Sequence, residues 1–152
     1  MRDPLAPVRV VSITDPALVF ADVEARERYR TSRDPALIPA PRVGCAPCVF
    51  VVQPVSAEIA IRLDGLTDLA GRALLAFRAC VHRVELPNGE ALEAASYASN
   101  LLGELADEEW VKTVALKVGP RRVYEIGEAA HRLSMLDDLD PLLPSPGQPP
   151  PS

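Results

Sequence analysis

Aromatic residues make up only 5% of this 152-residue chain, so its core must be filled by aliphatic side chains and alanine. Histidine occurs 2 times and cysteine 3, too few and too odd a number for a disulfide framework. Such thiols fit a reducing cytosol. Positive charge is also short. With 16 Lys and Arg against 21 Asp and Glu, the net charge is -5. That argues against the basic footprint needed for DNA or RNA and against an anionic membrane surface. No apolar run approaches the roughly 18–20 residues that span a bilayer. The opening MRDPLAPVRVVSI lacks the long apolar stretch of a secretory signal, so none is expected.

The usual supports of catalysis are equally thin. No glycine-rich phosphate loop is present, because Gly119-Pro120-Arg121-Arg122 is too short and proline-bound. Asp137, Asp138 and Asp140 lack the glycine and closing glutamate of a calcium loop. Neither His82 nor His131 has a serine or cysteine nucleophile at a telling spacing. No catalytic residue, cofactor or resident metal is therefore expected, and the chain does not read as an enzyme.

What the chain does have is 48% hydrophobic residues, enough for a core, and 16 prolines that belong in loops and tails. Val8–Ile13 (VRVVSI) and Cys48–Gln53 (CVFVVQ) read as two short strands that could pair. Asp15-Pro16 looks like a helix start, with a helix in one piece or two to about Ser32. Its second half, DVEARERYRTSR, is charged almost all round, with Asp22–Arg26 and Glu24–Arg28 as i,i+4 pairs. Arg26, Arg28, Arg30 and Arg33 alternate there with acids and read as a solvated face. Residues 34–47 hold Pro35, Pro39, Pro41, Gly44 and Pro47, which predicts a loop. The tetrapeptide Asp-Pro-Ala-Leu occurs at 15–18 and again at 34–37, predicting two similar helix starts or turns.

Downstream the reading is helical. Ser56 can cap a short helix that Gly65 stops in a left-handed conformation. Thr67 can cap a longer one carrying Ala70, Leu74, Phe77, Val81 and Val84 as one core stripe. Asn88-Gly89 marks a turn. Leu92, Ala95, Leu102 and Leu105 suggest a further helix, with Gly103 near its end. Asp107 can cap the next, with Trp110, Val111, Val114 and Val118 on its apolar side. The last carries Val123, Ile126, Ala130 and Leu133, with Gly127 beside that stripe where it would let another backbone approach closely. The expected fold is mainly α with a small β element, one hairpin-like or two-stranded sheet. The expected division is an N-terminal strand, charged helix and Pro-rich loop over 1–44, a helical core over 45–136, and an acidic, Pro-rich tail over 137–152. The tail holds two PxxP stretches but reads as solvated polyproline II.

Cys45-Ala46-Pro47-Cys48 is the one motif with chemical meaning. A thioredoxin-like pair needs its first thiol at a helix N-terminus, yet a strand-like run follows here. Zinc would need Cys45, Cys48, Cys80 and His82 as a Cys₃His set. Cys80 and His82 are two apart, so on a helix they point about 200° from each other. Three reduced thiols, with Cys48 and Cys80 filling core gaps, is the reading preferred over a zinc-binding adaptor.

Three stretches carry a resemblance: YRTSRDPALI at 29–38, VFVVQPVS at 49–56 and VYEIGEAAHRLSML at 123–136. In this order, with the long apolar helix and the Asn-Gly turn between them, the chain resembles small tail-assembly-chaperone-like proteins of tailed-bacteriophage structural gene clusters. The resemblance covers about residues 29 to 136. It implies a non-enzymatic assembly role in building the particle, most of all the tail. It also implies other phage structural proteins as partners, an oligomer as one possible state, and residence in the host cytoplasm or the virion. It transfers no catalytic residues, and neither the CAPC motif nor the proline tail belongs to its pattern.

Overall fold

The computed structural model describes residues 7–53, 55, 57–99 and 104–138. Their elements run β1 (Val8–Val11), α1 (Val23–Ser32), a 3₁₀ turn (Pro35–Leu37), β2 (Val49–Val52), α2 (Ala57–Asp64), α3 (Leu69–Cys80), β3 (Val81–Glu85), β4 (Ala91–Glu93), α4 (Ala95–Ser99), α5 (Glu108–Val118) and α6 (Pro120–Asp138). The four strands form one antiparallel sheet in the order β1-β2-β3-β4.

This overturns the expectation of a two-stranded element in a helical domain: the fold is α+β, with 51% of the described residues helical and a four-stranded sheet. The pairing of β1 with β2 is present, Val8 opposite Val52 and Val11 opposite Val49. The missing half of the sheet lay inside the supposed helices. The helix expected to continue through Val84 ends at Cys80, and the chain turns directly into β3. Val81 and Val84 are buried from the strand, whereas Ala70 and Leu74 of the supposed stripe are exposed. On α3 the buried positions are Ala73, Ala76, Phe77, Ala79 and Cys80. The β-branched run VHRVE favours an extended backbone once the helix stops. Asn88-Gly89 then closes a hairpin instead of joining two helices. Gly89 adopts φ +89°, its N–H donates to Leu86 O at 3.0 Å, and the Leu86 N–H donates to Glu90 O at 2.8 Å. A positive φ of this kind is the reason for glycine there. Leu92 therefore belongs to β4, and among the described residues of this stretch the helix is Ala95–Ser99; Leu102 and Gly103 lie outside the described residues.

Helix ends follow short acids. Asp22, Asp68 and Asp107 each accept a backbone N–H of the first turn that follows, from Ala25, Ala70 and Glu109. Asp107 is the cap that the sequence predicts, while Asp68 takes the place foreseen for Thr67. Gly65 closes α2 by donating to Ile61 O at 3.1 Å, but its φ is not left-handed. Ser56 lies outside the described residues. The first helix starts later than expected, at Val23, because Asp15 makes a turn: it accepts from Ala17 N at 2.9 Å while Leu18 N–H reaches Asp15 O at 3.1 Å. The second Asp-Pro-Ala-Leu repeats this. Asp34 accepts from Ala36 N at 3.0 Å and Leu37 N–H reaches Asp34 O at 2.9 Å. One tetrapeptide thus builds the same side-chain-closed turn in two places.

One sheet face, with Val8, Val10, Phe50, Val52 and Val84, packs with α3, α5 and α6 into the main core. There Phe77 meets Phe50 edge-on at 6.1 Å and stacks on Trp110 at 6.3 Å. The closest seam joins α3 to α6. A Cβ built on Gly127 would stand 2.0 Å from the Ala73 carbonyl oxygen, so only glycine lets the two backbones meet. The opposite sheet face divides in two. Val11 packs with Leu18 and Tyr29 in a second, smaller cluster. Toward β4 the face carries ions: Arg9 pairs with Glu85, and Arg83 bridges Glu85 at 3.3 Å and Glu93 at 2.6 Å.

Candidate functional site

The four zinc candidates do not gather. Cys45 is exposed and follows a turn in which its own N–H donates to Arg42 O at 3.0 Å. Cys48 is buried at the entry to β2. Its N–H donates to the buried Asp15 carboxylate at 2.8 Å rather than back to Cys45, so the motif does not close into a turn. Cys80 ends α3 with its sulfur 3.8 Å from Ser134 Oγ. His82 is drawn elsewhere, its Nε2 3.0 Å from Ala79 O and its Nδ1 2.5 Å from Ser96 Oγ. Among the described residues no three His, Cys, Asp or Glu side chains stand together as a metal site. Burial pushes the Cys48 thiol up to about 11 and the Cys80 thiol up to about 12, so neither offers a thiolate near neutrality. Both fill core gaps as small apolar residues.

His82 and Ser96 form a contact that sequence spacing did not single out. The Ala79 carbonyl can only accept, so Nε2 carries the proton and Nδ1 accepts from the serine hydroxyl. Burial holds this imidazole below its ordinary pKa, hence neutral. That is the tautomer a general base requires. Both ring nitrogens are nevertheless occupied within the protein. Four surface cavities, of about 60, 360, 420 and 370 Å³, are lined by neither residue. The pair ties β3 to α4.

The strongest polar cluster holds the first helix in place. Arg33 is only 3% exposed, although the sequence placed it on a solvated face. It caps α1 in the left-handed region at φ 51° and donates its N–H to Tyr29 O. Its guanidinium reaches Val11 O at 2.9 Å and Glu125 Oε2 at 3.1 Å, and lies 5.2 Å from the Tyr29 ring centre. Glu125 also accepts from Ser12 Oγ at 2.6 Å and Ile13 N at 3.0 Å. The Tyr29 hydroxyl accepts from Val11 N at 2.9 Å. The outward backbone groups of Val11 on the β1 edge are thereby used up, which blunts that edge against further strand pairing. In α1 the ion pair that forms is Glu27–Arg30 at 2.8 Å, not the expected Asp22–Arg26 or Glu24–Arg28.

The chain matches no family model, no curated protein and no solved structure. No helix among the described residues is long and apolar enough to cross a membrane. Between residues 61 and 74, on α2, the connecting turn and the start of α3, large apolar side chains face solvent. Ile61 is 71% exposed, Leu69 68%, Leu66 38% and Leu74 36%. Four such residues in so short a stretch exceed the scatter of single apolar residues normal on a surface.

Proposed function

We propose that the protein works by contact with other proteins and turns over no small molecule. Its partners on this reading are structural proteins of a tailed-phage particle, and its work is assembly, above all of the tail, in the host cytoplasm or the virion. The observation that carries the contact reading is the exposed apolar shoulder of Ile61, Leu66 and Leu69. Covering such side chains returns roughly 25 cal/mol for every Å² of apolar surface removed from water. The phage partners come from the resemblance over residues 29 to 136. Support also comes from His82, whose two ring nitrogens are both engaged within the fold, and from Cys48 and Cys80, whose thiols are buried in the core.

The test is a double substitution, Ile61→Asp with Leu69→Asp, in the full chain. Both side chains are exposed, so the fold should survive. Binding to the products of neighbouring structural genes, measured by pull-down of each purified product, should fall at least about tenfold, since each lost apolar anchor costs about 1–3 kcal/mol. Undiminished binding would remove this shoulder from the contact, and binding to none of those products by the parent chain would remove the phage reading.

A further inference from the structure

A second surface carries a more specific assignment. The 15–18 turn buries Leu18 and sends Val19 and Phe20 forward into the Asp22 cap of α1. Arg42 N–H binds Ala17 O at 2.8 Å and draws the 39–43 loop alongside. Between them lies an open groove of about 370 Å³ with Ile13, Leu18, Phe20 and Val23 along it and Arg26 and Arg42 at its rim. Val19 and Val23 remain 55% and 65% exposed. Asp22 also borders the groove, but its carboxylate is engaged by Ala25 N at 2.7 Å. Among the described residues neither Arg26 nor Arg42 has a side-chain partner, as is also true of the exposed Arg28 and Arg121 but not of Arg9, Arg30, Arg33, Arg78, Arg83 and Arg132, which each pair with a glutamate; what sets Arg26 and Arg42 apart is that both line one apolar groove.

We propose that this groove docks an acidic, leucine- or phenylalanine-bearing peptide segment of a partner protein. The apolar floor accepts the hydrophobic side chains, and two open guanidiniums can each take a carboxylate in forked geometry. In a chain of net charge -5, two unpaired cations beside one apolar groove select against basic and neutral segments and favour acidic ones. The volume falls within the roughly 300–1,000 Å³ of ordinary binding sites. The assignment rests on the contact reading only in requiring a protein partner. Its face is not the α2–α3 shoulder, so the two can fail separately.

The experiment pans a random twelve-residue peptide display library on the full chain, on an Arg26→Glu/Arg42→Glu variant, and on the Ile61→Asp/Leu69→Asp variant. The expected result is enrichment of sequences that pair Asp or Glu with Leu or Phe. The best of them, made synthetically, should bind at least about tenfold more weakly to the arginine variant, lose affinity as salt rises from 0.05 to 0.5 M, and bind the shoulder variant unchanged. Enrichment of uncharged or basic sequences, equal binding to the arginine variant, or no enrichment overturns the proposal. Two further results also overturn it by giving the groove another occupant. One is binding seen only after removal of residues 139–152, which assigns the groove to the chain's own tail. The other is a dimer of the parent chain that the arginine substitutions dissolve, which assigns it to a second copy.

Discussion

Two of the seams that hold α6 in place are built from opposite materials. Against α3 the contact is small and apolar: Ala73 meets Gly127, Phe77 lies in the core beside Phe50 and Trp110, and Cys80 meets Ser134. Against β1 and α1 the contact is a polar knot of Ser12, Tyr29, Arg33 and Glu125. The first seam gains from surface removed from water and from close packing. The second gains little beyond hydrogen bonds already available in water, but costs heavily when one partner is removed. The apolar seam sets how stable the body is. The polar one fixes where α1 sits.

The largest effect should come from the apolar seam. Phe77→Ala should cost about 3–5 kcal/mol, because a fully buried ring with aromatic neighbours on two sides leaves a cavity. Chemical denaturation would measure it, and a loss below about 1 kcal/mol would mean that α3 does not pack through this residue. Gly127→Ala should cost about 3 kcal/mol, since the added methyl meets a backbone carbonyl that can move only with its helix.

The polar knot should respond differently to two substitutions at one position. Arg33→Ala strips the guanidinium and should cost about 2–3 kcal/mol, less than a fully buried pair because the Glu125 side chain is 20% exposed. Arg33→Gly strips it too but relieves the left-handed backbone, so it should recover about 1 kcal/mol of that loss. Glycine no better than alanine would show that the φ of 51° is not a source of strain.

The two seams were unequally visible in the sequence. Helix α6 showed its apolar positions at the helical period, and Gly127 beside them could be read as a point of close approach. Asp107 announced α5. The hairpin did not show, because Val81 and Val84 continue the four-three stepping of Phe77 by coincidence. The signals able to separate the two readings were the β-branched run after Cys80 and the Asn88-Gly89 turn, which suits a hairpin better than a helix junction. The polar knot was invisible for another reason. Its arginine sits in a run of alternating charges, and its partner Glu125 is 92 residues away. Nothing local separates Arg33, buried, from Arg28, exposed. The groove was hidden likewise, since Arg42 reaches Ala17 only through the tertiary fold.

The smallest effect concerns pH and lies at the edge of the apolar seam. His131 on α6 is 7% exposed, and its Nε2 has no hydrogen-bond partner among the described residues. Asp64 of α2, Arg72 of α3, and Glu128 and Arg132 of α6 surround it. Burial first, then Arg72, hold its pKa below the ordinary 6.5, against the pull of Asp64 and Glu128. The unfolded chain therefore takes up this proton before the native one does. Stability should fall as pH drops below about 6.5 and level off only once the native pKa is passed. His82, also lowered, adds to the same slope. Glu85, whose pKa Arg9 lowers, contributes stability that is lost only in a separate window below about 4.5. Thermal melts of the parent and of His131→Leu between pH 7.5 and 5.5 isolate the imidazole. The leucine variant should be at least as stable at pH 7.5, since it removes a buried nitrogen without a partner. It should also lose less on acidification. An unchanged slope would mean that His131 is not buried as the neutral ring, and the α2–α3–α6 junction would then be open to water.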